Sequence, residues 1–222
     1  MSDTGRKVGI IGSGVVGRTL ADGFIKHGYR VTIGTRDRSK LEDWKAAAGE
    51  RGQVGSFEDA AAFGDLVVLA CMGRAAEDVV RQAGPANLSG KPVLDATNPI
   101  AEAAPEDGVL GYFTGPNASL MERLQALAPD AGFVKAFSCV GSALMVDPDL
   151  PGGPPTMFIC GDSAAAKARA REVLEQFGWE TMDLGTAKAA RAIEPLAILW
   201  CIPGFRENDW VHALKMLRPA SR

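Results

Sequence analysis

The chain has 222 residues, with 24 Lys and Arg against 27 Asp and Glu, and 46% of its residues are hydrophobic. A chain of this size hides roughly 70–75% of the surface it exposes when unfolded, so an apolar core suffices without disulfides or a structural metal. The net charge of −3 argues against a nucleic-acid binder, which needs a concentrated positive face.

The apolar runs at 66–72 and 196–202 fall well below the roughly 20 residues that span a bilayer, so no membrane segment is expected. The run at 8–11 is shorter than the apolar stretch of about 7–15 residues in a secretory leader. The four cysteines, Cys71, Cys139, Cys160 and Cys201, form no CxxC pair and have no neighbouring His, so they are read as reduced cytoplasmic thiols and no metal site is expected.

Residues 7–11 form a short apolar run that stops at a glycine-rich turn, and 15–25 carry apolar residues at helical spacing, predicting strand, turn and helix. A second strand is expected at 30–33, a helix capped by Ser39 at 39–48, a weak third strand around Val54 and a short helix at 58–63. A continuous apolar fourth strand at 66–70 precedes a helix at 75–83 and a fifth strand at 92–95. The Gly-, Pro- and Asn-rich stretch 98–117 reads as a long functional loop over the site.

A helix at 120–127 and a sixth strand at 133–137 follow. After a proline-rich connection at 147–155 come a strand at 156–160, a helix at 164–177 and a strand at 179–183. The segment 189–201 is apolar nearly all round, which marks it as buried in the subunit or in an interface between subunits. This alternation predicts an α/β fold, a Rossmann-type doubly wound parallel sheet. The division expected is a dinucleotide-binding domain at 6–150 and a small C-terminal extension at 151–222.

The segment Gly12-Ser13-Gly14-Val15-Val16-Gly17 fits G-x-G-x-x-G, and it leaves a strand and opens a helix, as a dinucleotide site requires. Gly12 permits the sharp turn, Gly14 the approach of a pyrophosphate, and Gly17 the close packing of helix on strand. The second strand ends in Ile33-Gly34-Thr35-Arg36, where NAD-binding chains usually carry an acid. The first carboxylate is Asp37, set among Arg36, Arg38 and Lys40, a pattern that favours the 2′-phosphate of NADP(H).

Neither Tyr29 nor Tyr112 is followed four residues later by Lys, which removes the short-chain dehydrogenase arrangement. His27 and His212 read as surface residues, and Lys135 as a strand residue turned to a face or a partner. The nicotinamide end is expected at Ala70-Cys71-Met72, Thr97-Asn98-Pro99 and Ala136-Phe137-Ser138, with no side chain assigned an acid–base role. Such a site suits direct hydride transfer to an acceptor that is itself a redox cofactor.

Taken together, Gly12–Gly17, Ile33-Gly-Thr-Arg36 with Lys40, Asp95-Ala-Thr-Asn-Pro99, Gly115-Pro-Asn-Ala-Ser119, Val134-Lys-Ala-Phe137, Phe158-Ile-Cys-Gly-Asp162 and the run from Ala190 to Ala197 resemble the deazaflavin-dependent NADP reductase family (coenzyme F-420:NADP oxidoreductase). The same fold is similar to the cytoplasmic reductase domain of membrane metalloreductases. The resemblance implies that Ser13, Thr35, Arg36 and Lys40 bind the 2′-phosphate end, and that Met72, Asn98, Pro99 and Ala136 line the nicotinamide. It implies a cytoplasmic NADP(H)-dependent oxidoreductase with a deazaflavin or flavin as second substrate.

Ser138 and Cys139 depart from the family pattern at the acceptor pocket. A flavin or small-carbonyl reductase, or a non-catalytic NADP(H) sensor, stands as the alternative. The apolar C-terminal helix is expected to join two copies in a homodimer.

Overall fold

The computed structural model describes residues 5–219, so the last three residues of the expected C-terminal extension lie outside it. Six parallel strands form the central sheet in the order β3-β2-β1-β4-β5-β6. They are β1 (Lys7–Ile11), β2 (Arg30–Gly34), β3 (Gly52–Gly55), β4 (Leu66–Leu69), β5 (Pro92–Asp95) and β6 (Gly132–Lys135). Their register is continuous, Val8 facing Val31 on one side and Leu66 on the other. The order reverses between β1 and β4, which places a crevice at their carboxyl ends.

The strands are apolar on both faces because helices cover both. On one face α1 (Val15–Lys26), α2 (Glu42–Ala48) and α7 (Ala164–Gln176) close over Val8, Ile10, Val31, Val68 and Val134. On the other, α3 (Phe57–Phe63), α4 (Gly73–Ala83), the single turn α5 (Pro85–Leu88) and α6 (Leu120–Leu127) enclose Ile11, Val67, Leu69, Val93 and Phe133.

The chain reaches β7 (Thr156–Ile159) from β6 through only a short 3₁₀ turn at Ser142–Leu144. A parallel neighbour needs a long crossover, usually a helix, and here the chain doubles back instead: Lys135 and Cys160 form an isolated antiparallel bridge. β7 then pairs in parallel with β8 (Glu180–Asp183) in a separate two-stranded sheet. Their crossover helix α7 lies on the large sheet over β5 and β6, so the C-terminal residues extend the main core.

Several expectations are corrected. The second helix starts later than its sequence suggests: a 3₁₀ turn at Arg38–Leu41 precedes α2, and the capping side chain is Asp37, which accepts the Ser39 N–H at 3.1 Å. Strand β6 ends at Lys135, not Phe137, because Phe137 adopts a φ of 60° that no strand accommodates. The loop 98–117 is partly ordered by antiparallel bridges between Ile100 and Tyr112 and between Glu106 and Val109.

The apolar segment 189–201 is not one buried helix. It divides into α8 (Ala190–Ile193) and α9 (Leu196–Glu207) on either side of Pro195. Leu199 and Phe205 of α9 remain in solvent, at 54% and 43% exposure. The two histidines are more enclosed than expected. His27 stacks on Phe177 and His212 on Trp200, with ring centroids 5.2 and 5.0 Å apart.

The C-terminal helices are tied to α6 by Arg191, whose guanidinium contacts the Glu122 carboxylate at 2.7, 2.9 and 3.2 Å. That pairing, helped by the Ser119 hydroxyl, holds the Glu122 carboxyl below its ordinary value of 4.5. A carboxyl depressed in the folded state adds stability above its unfolded pKa and loses it as pH falls through the folded one. The urea midpoint should therefore decline below pH 4.5. In Glu122→Gln the decline should be shallower and the neutral-pH midpoint lower; equal acid slopes would contradict this linkage.

Candidate functional site: a dinucleotide cradle

The turn after β1 is held among the carboxyl ends of three strands. Gly12 donates its N–H to the Gly34 carbonyl at 3.1 Å, and Ala70 donates to the Ile11 carbonyl at 2.9 Å. Gly12 has a φ of +129°, and a Cβ there would run into the Ala70 carbonyl. Gly17 lies so close beneath the turn that a Cβ would strike the Gly12 carbonyl.

Gly14 is different: its φ is −72° and nothing stands within 4 Å of a would-be Cβ. It opens α1 without any side-chain cap and without an acid in the first turn. The first bond of this turn runs from Arg18 N–H to the Gly14 carbonyl at 3.0 Å. The N–H groups of Val15, Val16 and Gly17 thus precede the helical ladder and, with the helix dipole, face the open space as an anion site. Val15 is 60% exposed at its lip.

The polar cluster after β2 lies beside this turn. Ser13 Oγ and Thr35 Oγ1 are 3.0 Å apart, and Thr35 is anchored by its N–H to the Gly55 carbonyl at 3.0 Å. The three cations expected here are not equivalent. Arg38 pairs with Asp59 at 3.1 Å, and Lys40 lies 3.6 Å from Asp37. Arg36 is exposed and makes no ion pair with any described residue. The sequence pattern did not reveal these two acids as partners, although Asp37 stands at the i, i−3 position from Lys40.

The end where the sequence places the nicotinamide is assembled from the ends of β4, β5 and β6. Ala96 donates to the Leu69 carbonyl and Ala136 to the Asp95 carbonyl, each at 3.0 Å, so each strand end steps onto the next. Met72 is 59% exposed and Cys71 half-buried, whereas Pro99 and Ala136 are buried. Gly73 allows the start of α4 to abut the Asn98 carbonyl. Asn98 donates its side-chain amide to the Ser138 carbonyl at 2.7 Å, while its Oδ1 and the Ser138 Oγ are buried with no partner in the chain.

Burial pushes the Cys71 thiol up to about 12, with the Asp95 carboxylate adding to the effect, and Cys139 up to about 11. Neither is a thiolate at neutral pH, as plain packing requires. Lys135 faces partners within its own chain: it is wholly enclosed, with Asp95 at 2.6 Å and Glu194 at 2.9 Å. Glu194 does not serve its own helix. Its carboxylate accepts the Leu120 and Met121 N–H groups at 3.0 Å each, at the start of α6. The sequence carries no signal for this cluster, because Asp95 and Lys135 come into register only when β5 pairs with β6.

These features fit a phosphorylated dinucleotide. A glycine turn and helix N-terminus offer N–H donors, Arg36 follows Thr35 in the chain with no ion pair to a described residue, and an unsatisfied amide oxygen lies at the other end.

Comparison with known proteins agrees with this geometry. A family model described as NADP oxidoreductase, coenzyme F420-dependent, matches residues 7–99. A candidate F420-dependent NADP reductase from Arthrobacter sp. FB24 is 32% identical and superimposes with a TM-score of 0.89, over 96% of this chain and 100% of that one. Metalloreductase STEAP3 of Rattus norvegicus is 29% identical over 202 residues, which is 89% of this chain and 38% of that protein. The chain thus spans well under half of that relative's length. A reductive aminase from Aspergillus terreus in complex with NADPH, 22% identical with a TM-score of 0.65 over 92% of this chain and 63% of that one, shares the fold. Among the described residues no helix is long and apolar enough to cross a membrane. The chain belongs to the coenzyme F420-dependent family of NADP oxidoreductases.

Proposed function

We propose that this chain binds NADP(H) in the cradle and transfers hydride between its nicotinamide and a deazaflavin-type acceptor. The observation that carries the reading is the chemistry of the nicotinamide end. Met72 exposes a thioether, Asn98 is a half-buried amide, Pro99 and the Ser138 hydroxyl are buried behind them, and the Cys71 thiol is pushed up to about 12. A carbonyl substrate needs a proton donor, whereas a deazaflavin ring accepts hydride with alignment as the main demand.

The groups that would hold the cofactor are the N–H donors of the turn after β1, the Ser13 and Thr35 hydroxyls, Arg36, and Asn98, whose Oδ1 would accept from the ring carboxamide. Bound NADPH supplies the hydride. Met72 and Pro99 shape the space at that end and limit water in it.

NADPH at about 100 times its dissociation constant adds roughly 2.7 kcal/mol to the folded state, a rise of roughly 5–11 °C in Tm for a chain of this size. NADH at the same concentration should give a much smaller rise, as read by thermal unfolding. Absorbance assays with NADPH and either a deazaflavin or a riboflavin-type flavin then separate the acceptors. Faster reduction of the flavin would replace the deazaflavin reading, and tight binding without transfer to either would favour a sensor.

The same reading includes a cytoplasmic homodimer. Leu199 and Phe205 of α9, with Trp210 and Val211, expose an apolar strip that a second copy would cover, and sedimentation equilibrium tests it.

A further inference from the structure

An enclosed ionic cluster lies beneath the nicotinamide end. The Lys135 ammonium faces three oxygens: Asp95 Oδ2 at 2.6 Å, Glu194 Oε1 at 2.9 Å and the Thr97 carbonyl at 2.9 Å. They come from two parts of the chain, the end of β5 and the junction of α8 with α9. Asp95 ends β5, and its second oxygen accepts the Thr97 N–H at 2.9 Å and the Thr97 hydroxyl at 2.6 Å. Glu194 joins α8 to α9 and holds the start of α6, and its own carbonyl accepts the Tyr112 hydroxyl at 2.6 Å. Lys135 and Asp95 are wholly enclosed, and Glu194 nearly so.

Buried ion clusters are poor devices for stability, since apolar side chains of similar volume often serve as well. What an apolar side chain cannot do is hold a backbone carbonyl by a hydrogen bond. Here the carbonyl is that of Thr97, so the ammonium fixes the peptide plane between Thr97 and Asn98 while Asp95 fixes the other side of Thr97. Asn98 follows directly, with its amide on the Ser138 carbonyl and its Oδ1 unpartnered.

We infer that Lys135 is a positioning residue for the nicotinamide half of the cofactor: held between Asp95 and Glu194, it sets the Thr97–Asn98 peptide and so aims the Asn98 amide at the ring. The inference rests on the reading that the cradle takes NADP(H). It also gives α8 and α9 a part in the site, because Glu194 is what keeps the ammonium on the Thr97 side.

The test compares two ligands in Lys135→Met by calorimetry. NADP⁺ carries the nicotinamide, and adenosine 2′,5′-bisphosphate carries the same phosphorylated ribose without it. The expected result is a loss of roughly tenfold in NADP⁺ affinity, the equivalent of one hydrogen bond, with the bisphosphate affinity unchanged. In Glu194→Gln, which keeps an oxygen for α6, the same selective loss should appear at smaller size. This variant carries the test should Lys135→Met fail to fold.

Equal losses for both ligands, or no loss for either in a folded variant, would overturn the positioning role while leaving the cradle intact. A wild-type chain that binds neither ligand would overturn the cofactor reading and this inference together.

Discussion

Arg36→Ala is expected to weaken NADPH binding by roughly 10- to 150-fold, the equivalent of about 1.5–3 kcal/mol for a charge-assisted hydrogen bond, and to leave NADH unchanged. The reason lies in how the neighbouring charges are disposed. Arg38 is engaged by Asp59, and Lys40 is drawn toward Asp37, whose carboxyl is held below its ordinary range mainly by the Ser39 hydroxyl. Arg36, next in the chain to Thr35, alone of the three has no carboxylate partner among the described residues. Lys40→Ala should therefore cost less than Arg36→Ala, since the exposed Lys40–Asp37 pair contributes little by itself and the lysine must turn from it to reach a phosphate. Titration of both nucleotides against both variants, followed by fluorescence, decides the matter. An equal loss for NADH would show that Arg36 does not read the 2′-phosphate.

Two glycines of the same turn should fail in opposite ways. Gly12→Ala places a Cβ at a φ of +129° and against the Ala70 carbonyl, in a region of backbone that costs a non-glycine residue about 1–3 kcal/mol before the clash is added. Its urea midpoint should fall markedly with or without nucleotide. Gly14→Ala meets open space at an ordinary φ of −72°, so the free protein should keep its stability or gain about 0.4–1 kcal/mol. The new methyl group, however, stands where the pyrophosphate must approach. NADPH affinity should drop roughly tenfold or more, because one lost N–H to phosphate bond is worth about 1.5–3 kcal/mol. Paired unfolding and binding measurements on the two variants read this directly. A Gly14→Ala protein that binds NADPH normally would remove the pyrophosphate from this turn.

The parallel sheet and its cradle were legible in the sequence because both depend on local signals: apolar runs of strand length, a glycine-rich turn and a basic segment at the end of the second strand. The residues that misled are those whose role is set by distant partners. Arg38 looks available until Asp59, at the start of α3, is seen beside it. Phe137 reads as strand, and only the departure of the chain toward the 3₁₀ turn gives it a left-handed conformation. Glu194 stands at the junction of α8 and α9, and its carboxylate caps a helix more than seventy residues earlier. The segment 189–201 reads as one apolar helix, buried within the subunit or between subunits, but the chain breaks it into two at Pro195 and leaves Leu199 of the second exposed. Nothing in a single sequence distinguishes a buried lysine with two carboxylates from a strand residue turned to solvent, because the pairing is made across three segments of chain.

The cap that Glu194 places on α6 bears on the order in which a nascent chain matures. A ribosome releases residues 120–121 long before residue 194, and until the latter emerges the Ser119 hydroxyl caps only the Glu122 N–H, the Leu120 and Met121 N–H groups lack their acceptor, and the lysine ending β6 has one counter-ion in place of two. The first five strands and the glycine turn can assemble early from nearby contacts, whereas the Lys135 cluster at the ends of β5 and β6 is completed only by a late, long-range closure. Maturation therefore proceeds from the glycine turn toward the ends of β5 and β6.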